Sequence, residues 1–498
     1  MTRRRTALVV GSVLALVSAC GTTVPLSSQR AATSDGLGSG VDGTAAPLPT
    51  GAALPGSGPG TGRPGDPRTA VPSTGPSSRS RTPDATSTAQ PERPESATGP
   101  LVVGYVTSKD LQATAGAIGL SGLATGDTDN QMRALAAYFN TRGGLLGRKI
   151  SLVSVDVRSS DTTSNPDGTA ASTCEAMAEK HVRVLVIAGQ NPNLLACLKK
   201  RGIISIDSTN LRASSASYAK QGNFLFSPSA MSIDRYLPAV VDRLYARGFF
   251  GGWDVRAGDP GKAPVKVGVQ AFDNEQGRHY VAVLDAALRR HGLKVDQSDL
   301  HSTDVAQNAS ATSAAVLRFA ANGVTHVFDA NVLFYKAAES QRYSPRYAID
   351  DSIATPALLA SNVASPGEKG QLHGSMGAGY LPAYEVPQPQ DVSPAATWCL
   401  ELMRKAGEDV KQSLVRVIVL SECDAMTFLA SAVTAGGAAT PSGMQQGLLA
   451  LRGYSSTITY QGLPTQTHHD GARRVRDFVF DDDCGCFAFP DKQTFPVP

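Results

Sequence analysis

Aromatic residues are missing from the first fifth of the chain. No Phe, Trp or Tyr occurs before Tyr105, although the chain has 498 residues. Between residues 21 and 99, 58 of the 79 positions are Gly, Ala, Ser, Thr or Pro. A segment of this composition cannot bury enough apolar surface to offset the ordering of its backbone. We therefore expect 21–99 to be a disordered tether, with the folded part beginning at Pro100. A stalk that carries O-linked sugar is the alternative.

Long apolar runs and a strong net charge are also lacking. No apolar run of 18 residues follows residue 20, which excludes a bundle of transmembrane helices. The net charge of +3 disfavours a general nucleic-acid binder. The G-x-S-x-G, H-E-x-x-H and Walker A motifs do not occur, so we expect no enzyme and no cofactor. His468-His469-Asp470 could suggest a base or a metal ligand, but we expect it to be a loop before the final strand.

The amino terminus has the features of an export signal. Three arginines at positions 3–5 precede a short apolar run, Thr6 to Val17, which predicts a secretory signal peptide over 1–20. The segment Val17-Ser18-Ala19-Cys20 resembles the lipobox of bacterial lipoproteins. The resemblance implies that Cys20 carries acyl chains, which would anchor the protein to the outer face of the cytoplasmic membrane. In the alternative, the signal is simply cleaved and Cys20 has no role.

Six cysteines remain, and an even number in an exported chain favours disulfides. Cys174 and Cys197 lie on neighbouring predicted helices, so a bridge between them is plausible. Cys399 and Cys423 likewise begin two successive helical segments. Cys484 and Cys486 are left to pair with each other or elsewhere. A metal site that uses them with the acidic run 481–483 is disfavoured, because no His stands nearby.

From Leu101 onward, strand and helix patterns alternate in two successive cycles. Such an alternation predicts an α/β fold with parallel sheets and right-handed crossovers. Two cycles without a linker between them suggest two similar lobes. The predicted strands are 101–106, 149–156, 182–187, 203–206, 265–269, 325–328, 346–349 and a last one at 475–480. The predicted helices are 129–142, 170–181, 194–200, 233–247, 280–291, 308–322, 334–342, 398–406 and 424–435.

Short polar peptides follow the predicted strands, where ligands of open α/β sheets bind. If the two lobes face each other, these peptides converge on one cleft. Helix amino termini after them would offer N–H groups to an anionic group. The candidate binding residues are Thr107, Ser108, Gly189, Gln190, Asn191, Asp207, Ser208, Thr209, Asp273, Asn274, Glu275, Asn331, Asp350 and Asp351.

Several segments, in this order, resemble the type I periplasmic binding proteins, which include the branched-chain-amino-acid binding proteins of ABC importers. Residues 143–150 (GGLLGRKI), followed by a strand to Asp156, resemble a hallmark of that family. Phe226–Ser229 is similar to its run into the helix that changes lobe, and Asp273–Gly277 to a turn in lobe 2. Tyr343–Tyr347 resembles a further recurring segment. Cys174 and Cys197 match the placement of a disulfide known in the group.

The resemblance implies two Rossmann-like lobes with parallel central sheets, joined by a hinge of three crossings. Lobe 1 would comprise 100–229 and 381–470, and lobe 2 230–380 and 471–498. Cys399 and Cys423 would then both lie in lobe 1, which supports their pairing. Ligand would close the hinge by contacting both lobes.

By the same resemblance, residues 189–191 and 207–209 would hold an α-carboxylate, and Asp273, Glu275 or Asp350 an amine or side chain. The implied function is capture of a small solute, such as an amino acid, for import by a permease and an ATPase that are separate chains. A ligand sensor and a non-transport lipoprotein of the cell envelope are the alternatives.

Overall fold

The computed structural model describes the chain from residue 99 onward with short gaps. The expected signal peptide, Cys20 and the tether lie outside the described residues. The described ranges are 99–117, 124–186, 191–209, 213–302, 305–349, 351, 355–381, 393–451, 454–460 and 469–498.

Strands and helices alternate in the first part of the described chain and form a five-stranded sheet. Its strand order is β2-β1-β3-β4-β5, and all of its strands are parallel. Parallel neighbours need crossover connections, which the helices supply. In chain order the elements are β1 (Leu101–Thr107), α1 (Leu111–Ala117), α2 (Thr128–Thr141), β2 (Ile150–Asp156), α3 (Ser159–Ser164), α4 (Pro166–Glu179), β3 (Val184–Val186), α5 (Pro192–Lys200), β4 (Ile204–Ile206), α6 (Ser215–Gln221) and β5 (Leu225–Phe226).

The chain then enters a second sheet, in which β9, β8, β10, β11 and β12 are parallel neighbours in that order. A short antiparallel pair, β6 and β7, lies outside it. The elements are α7 (Ile233–Ala246), β6 (Trp253–Asp254), β7 (Asp259–Pro260), β8 (Val267–Phe272), α8 (Glu275–Arg289), β9 (Val295–His301), α9 (Val305–Ala321), β10 (His326–Phe328), α10 (Val332–Ser340), β11 (Arg346–Ile349), α11 (Thr355–Val363) and β12 (Met376–Gly379).

The last part of the chain adds to both sheets in turn. Three helices return to the first sheet, where α12 and α13 pack against α2, and α13 also packs against β3. Strand β13 then joins the second sheet antiparallel to β12, and β14 and β15 pair with β13. These elements are α12 (Pro394–Lys405), α13 (Ser413–Gly436), α14 (Pro441–Ala450), β13 (Arg474–Asp481), β14 (Cys486–Ala488) and β15 (Thr494–Pro496).

We call each sheet with the helices packed on it a lobe: lobe 1 is built on β1–β5, and lobe 2 on β8–β15. The predicted α/β class with parallel sheets is confirmed. The expectation that 475–480 is the last strand was wrong, because two short antiparallel strands follow it. The residue boundaries expected for the lobes stay a prediction.

Helix α13 is the one described helix that is long and apolar enough to cross a membrane. In this fold 78% of its most apolar window is buried, and its buried face carries Arg416, Glu422 and Asp424. Lobe 1 packs around it, so it serves as a core helix. The sequence pattern placed its start at Asp424, eleven residues too late, because these polar residues interrupt the apolar periodicity.

Three disulfides are present. Cys174–Cys197 joins α4 to α5, and Cys399–Cys423 joins α12 to α13, which confirms both expected pairs. The third, Cys484–Cys486, closes the turn between β13 and β14 and settles a choice that the sequence left open.

Candidate functional site

The carboxyl ends of the lobe 1 strands lie along one edge of the sheet. Ile206 pairs with both Val186 and Phe226, and Thr107 ends the neighbouring strand β1. The polar peptides that follow these strands therefore share this edge. They include Thr107, Ser108, Asn191, Asp207, Ser208 and Thr209. Gly189 and Gln190 lie outside the described residues.

Lobe 2 has a matching edge. Phe328 is paired with Val269 and Ala348, and Ile349 with Gly377, so β8, β10, β11 and β12 end on the same side. The candidates at this edge are Asp273, Asn274, Glu275, Asn331 and Asp351. Asp350 lies outside the described residues.

The chain passes between the lobes at these two edges. Strand β5 ends at Phe226 and leads through 227–232 into α7, which begins at the carboxyl edge of lobe 2. There the Tyr236 hydroxyl donates to the Ala378 carbonyl at 2.9 Å and accepts from the Asp351 N–H at 3.0 Å. The second crossing leaves from the end of β12, and the third enters β13 at the same edge. The first and third connections, over the described residues 227–232 and 469–473, therefore hold the two carboxyl edges next to each other.

The first and third crossings are bonded to each other. The Ser227 N–H donates to the His469 carbonyl, and the Ser227 carbonyl accepts from the Gly471 N–H at 2.8 Å. A side chain at 471 is not tolerated, because its Cβ would lie 1.8 Å from the Pro228 carbonyl oxygen. The His469 ring stacks on Phe226 and hydrogen-bonds the Leu225 carbonyl.

A buried ion pair also ties these crossings. Asp470 accepts from the Arg235 guanidinium at 2.6 Å and from the Ser232 N–H at 2.7 Å. Arg235 donates further to the Val497 and Pro498 carbonyls. Removing one partner of such a pair leaves an uncompensated buried charge. His469 and Asp470 are therefore hinge residues, and His468 lies outside the described residues. The segment that the sequence predicts to be a loop before the final strand therefore belongs to the third crossing between the lobes.

In lobe 1 the candidate hydroxyls donate to neighbouring carboxylates. Thr107 Oγ1 donates to Asp156 at 3.0 Å, and Thr209 donates to Asp207 through both its hydroxyl and its N–H. All of these residues except Asp156 are buried. The site expected at 207–209 is thus a tight turn closed on itself, in which Asp207 is the acceptor.

The loop that begins at Ser108 is organised around Asp110. Ser108 donates to the Asp110 carboxylate at 2.9 Å, and the Ser159 N–H donates to the same oxygen at 2.8 Å. Burial alone would raise the pKa of Asp110, but the Ser159 and Ser108 hydrogen bonds outweigh it and lower that pKa. Asp110 therefore stays ionised at the lobe 1 edge.

In lobe 2 the candidates differ in exposure. Asp273 is exposed and forms an ion pair with Arg278, and Glu275 is exposed in the first turn of α8. Asp351 is fully buried and accepts from the Leu381 N–H at 2.9 Å.

Three asparagines cap the helices that follow the candidate loops. Asn191 accepts from two N–H groups of α5, Asn274 from the Gly277 N–H, and Asn331 from the Phe334 N–H. Such caps satisfy the N–H groups that a helix would otherwise offer to an anion. The expectation that these termini hold a carboxylate stays a prediction, and the caps weigh against it.

The buried polar atoms at these edges without a hydrogen-bond partner in the described part of the chain include Ser208 Oγ, Ser229 Oγ, His301 Nδ1 and Asn331 Nδ2. Ser208 belongs to lobe 1, Ser229 to the first crossing and Asn331 to lobe 2. Asn331 is nine-tenths buried, and its capping oxygen fixes the orientation of its amide nitrogen. Buried polar groups normally find a partner, and these atoms have none among the described residues. The sequence did not single out Ser229.

Among residues 99–498, as far as the structure describes them, no group of three or more His, Cys, Asp or Glu side chains is arranged to hold a metal ion. The acidic run at 481–483 forms the end of β13 and a turn. In it, the Asp482 carboxylate bonds His373 and the Asp481 carboxylate accepts from the Asp483 N–H.

The comparisons with known proteins fit this architecture. The family described as "Periplasmic binding protein" matches residues 116–477. A search of curated proteins found no relative of this chain.

Solved structures with the same fold include a solute-binding protein of an ABC transporter from Rhodopseudomonas palustris HaA2 in complex with p-hydroxybenzoic acid. It is 15% identical with a TM-score of 0.56, over 80% of this chain and 97% of that one. A branched-chain amino acid ABC transporter protein from Thermus thermophilus with bound valine is 17% identical, with a TM-score of 0.55 and the same coverage. A fatty acid ABC transporter substrate-binding protein from Thermomonospora curvata is 16% identical, with a TM-score of 0.55, over 80% and 92%.

Proposed function

Because the chain belongs to the periplasmic binding protein family, we propose that it captures a small solute between its two lobes and delivers it to an ABC importer. The permease and the ATPase would be separate proteins. The chain binds its solute without converting it.

The observation that carries this proposal is the set of buried polar atoms without partners. Ser208, Ser229 and Asn331 lie on lobe 1, the hinge and lobe 2, where the carboxyl edges are held next to each other. Leaving a buried polar atom unpaired costs about 1–3 kcal/mol. A solute that satisfies atoms on both lobes stabilises the closed arrangement over the open one.

The binding site that we propose includes these atoms and the candidate loops around them. Gly189, Gln190 and Asn191 line it from lobe 1 with Asp207, Ser208 and Thr209. Asp273, Asn274, Glu275, Asn331, Asp350 and Asp351 line it from lobe 2. Thr107 and Ser108, both fully buried, complete the lobe 1 side of the proposed site.

We further propose that Cys20 is lipidated and holds the protein at the outer face of the membrane. The 79 residues from 21 to 99 would give the folded part a reach of ~50 Å as a flexible coil. Substitution of Cys20 by Ala should release the protein from the membrane fraction. Continued retention of the variant would contradict the anchor.

Capture is tested by thermal-shift screening of the full chain against amino acids, amides, short peptides, purines and sugars. A true solute raises the melting temperature by mass action. Mass spectrometry of the denatured protein, to detect a co-purified molecule, complements the screen.

The site is tested with Asn331→Ser, which keeps a capping oxygen for α10 but removes the amide nitrogen. We expect at least a tenfold loss of affinity with little change in the stability of the free protein. Asn165→Ser, at the cap of the outer helix α4, is the matched control. If no solute stabilises the protein, capture is contradicted. If Asn331→Ser and Asn165→Ser bound the solute equally well, Asn331 would not be part of the binding site.

A further inference from the structure

The sheet of lobe 1 has two edges, and the proposed solute site uses only one of them. All five strands are parallel, so they begin at one edge and end at the other. Strand β1 has seven residues, which separates the two edges by about 23 Å. Helices α2, α4, α5 and α6 end where the strands begin, because each leads into the next strand. We call the last four residues of these helices, with the links to the strands that follow, the amino face: residues 138–149, 176–183, 197–203 and 218–224.

The amino face is strongly basic, although the chain as a whole is nearly balanced. The full sequence has 46 basic and 43 acidic residues. The amino face has nine basic residues and one acidic residue, Glu179. All nine are exposed except Arg148, which is half-buried. They are Arg142, Arg148, Lys149, Lys180, Arg183, Lys199, Lys200, Arg201 and Lys220.

Helix dipoles explain only part of this charge. Cations near the carboxyl end of a helix are favourable, and lobe 2 has them too. There, however, Arg290 just after α8 is paired with Asp242. On the amino face Arg201 is paired with Glu175, but six other cations have no acidic partner in the described part of the chain: Arg142, Lys149, Lys180, Lys199, Lys200 and Lys220. Positive charge that the fold does not neutralise indicates a surface for an anionic partner.

The N-terminal segment enters the fold at this face. Strand β1, which begins at Leu101, lies between β2 and β3 in the sheet. Arg148 donates to the Gly99 and Pro100 carbonyls at 2.8 and 3.2 Å, so the described chain begins against a basic side chain. A chain anchored to a membrane at Cys20 is therefore connected to that membrane through the amino face.

From these observations we propose that the amino face of lobe 1 binds an anionic membrane through the phosphates of its lipid headgroups. The choice of a membrane as the partner rests on the proposed anchor at Cys20. Each cation near such a surface strengthens binding by about fivefold, and attachment through the tether keeps the headgroups at a high effective concentration. The carboxyl edge of lobe 1 then points away from the membrane, which leaves the solute site free.

The test uses the full chain with Cys20→Ala, so that no acyl chain contributes. Its binding is measured by co-sedimentation with vesicles of phosphatidylcholine alone, and of phosphatidylcholine with about one third phosphatidylglycerol. We expect at least tenfold tighter binding to the vesicles that contain phosphatidylglycerol. This preference should disappear as the salt concentration rises from about 0.05 to about 0.5 M. Binding to the neutral vesicles measures what the apolar segment 6–17 contributes.

Two double variants with the same change in net charge locate the surface. Lys180→Gln with Lys200→Gln removes two exposed cations of the amino face. Lys405→Gln with Lys411→Gln removes two exposed cations on the opposite side of lobe 1, close to the start of α2. The first pair should weaken binding to the anionic vesicles at least fivefold, and the second pair less than twofold. Both should leave the melting temperature nearly unchanged, because all four side chains are exposed.

The outcomes separate this proposal from the earlier ones. Equal loss in the two double variants would contradict the amino face, because net charge alone would then govern binding. Equal binding to both kinds of vesicle would contradict a membrane surface and leave the anchor and solute capture intact. If a soluble glycerol-phosphate polymer bound as tightly as the vesicles at equal phosphate concentration, the partner would be an anionic polymer and not a membrane. Retention of the Cys20→Ala chain in salt-washed cell membranes would instead contradict the anchor.

Discussion

Lobe 1 and lobe 2 share a βα architecture but are stabilised differently. Two disulfides cross-link the helices of lobe 1, whose buried strands carry mainly Val, Leu and Ile. Lobe 2 has one disulfide, which spans a single turn, and a core rich in aromatic rings. Its fully buried rings include Phe249, Phe319, Phe328, Phe334, Tyr335 and Tyr347. Lobe 1 therefore has the longer-range covalent links, and lobe 2 has the more aromatic core.

The two tryptophans of the chain allow the lobes to be followed separately. Trp398 lies on α12 in lobe 1, against Tyr138. Trp253 is buried in lobe 2, where its indole N–H donates to the Ser344 carbonyl. In a chain with Trp253→Phe, the fluorescence of the remaining Trp398 reports the unfolding of lobe 1. In a chain with Trp398→Phe, the fluorescence of Trp253 reports the unfolding of lobe 2.

Loss of both lobe 1 disulfides is expected to have the largest effect. The bridges span 23 and 24 residues, and closing loops of this length contributes about 3 kcal/mol each. Substitution of all four cysteines by Ala should lower the free energy of unfolding reported by Trp398 by about 6 kcal/mol, measured in urea. Removal of Cys484–Cys486, which spans two residues, is the control and should cost far less. If removal of the lobe 1 disulfides and removal of Cys484–Cys486 lowered the free energy of unfolding equally, the two lobes would not differ in their dependence on disulfides.

A smaller loss is expected when the lobe 2 core is opened. Phe319 is fully buried, and its ring lies 5.6 Å from that of Phe334. Phe319→Ala should lower the unfolding free energy reported by Trp253 by about 3–5 kcal/mol. Leu317→Ala, on the exposed face of the same helix, should cost less than about 0.5 kcal/mol. Similar costs would mean that the aromatic core contributes little.

The lobes should also respond to pH in opposite directions. In lobe 1, burial raises the pKa of Asp424 to about 6 despite several hydrogen bonds, and burial also raises the pKa of Glu422. The stability that protonated Asp424 provides is complete below about pH 4 and is lost as the pH rises through 6. In lobe 2, burial lowers the pKa of His326 to about 4. Its contribution is complete above about pH 6.5 and is lost as the pH falls toward 4.

Between pH 7 and 4.5 the unfolding free energy should therefore rise for lobe 1 and fall for lobe 2, by up to about 3 kcal/mol each. Urea unfolding of the two single-tryptophan chains measures this. Asp424→Asn should reduce the lobe 1 response, with Glu422 responsible for the remainder, and His326→Gln should reduce that of lobe 2, with His301 responsible for the remainder. If the unfolding free energy changed in the same direction with pH in both single-tryptophan chains, the opposite pH dependence assigned to the two lobes would be wrong.

Sequence patterns predicted seven of the ten parallel strands, because buried strands of Val, Leu and Ile are distinctive. They missed β5 because it has only two residues, β9 because its sequence is largely polar, and β12 (Met376–Gly379) because two of its four residues are Gly. They also missed β14 and β15, which have only three residues each. The helices α1 and α3 have only seven and six residues, too few for periodicity to show them.

For the candidate site, the sequence predicted which residues follow the strand ends, but not what their side chains contact. The edge positions of residues such as Asp207 and Asn331 follow from the strand order. Sequence could not show that Asp207 binds its own turn, or that Asn331 uses its oxygen as a cap and leaves its nitrogen without a partner. Ser229 was missed because its role depends on how two distant crossings pack.

The central claim is that both carboxyl edges close on one solute. Hydrogen exchange of the full chain, measured with and without the probe that raises the melting temperature most, tests it directly. The account predicts slower exchange in peptides covering 204–209 of lobe 1 and 326–334 of lobe 2, with the same half-saturation concentration. Protection of one lobe alone, with the other unchanged at saturating probe, would contradict it.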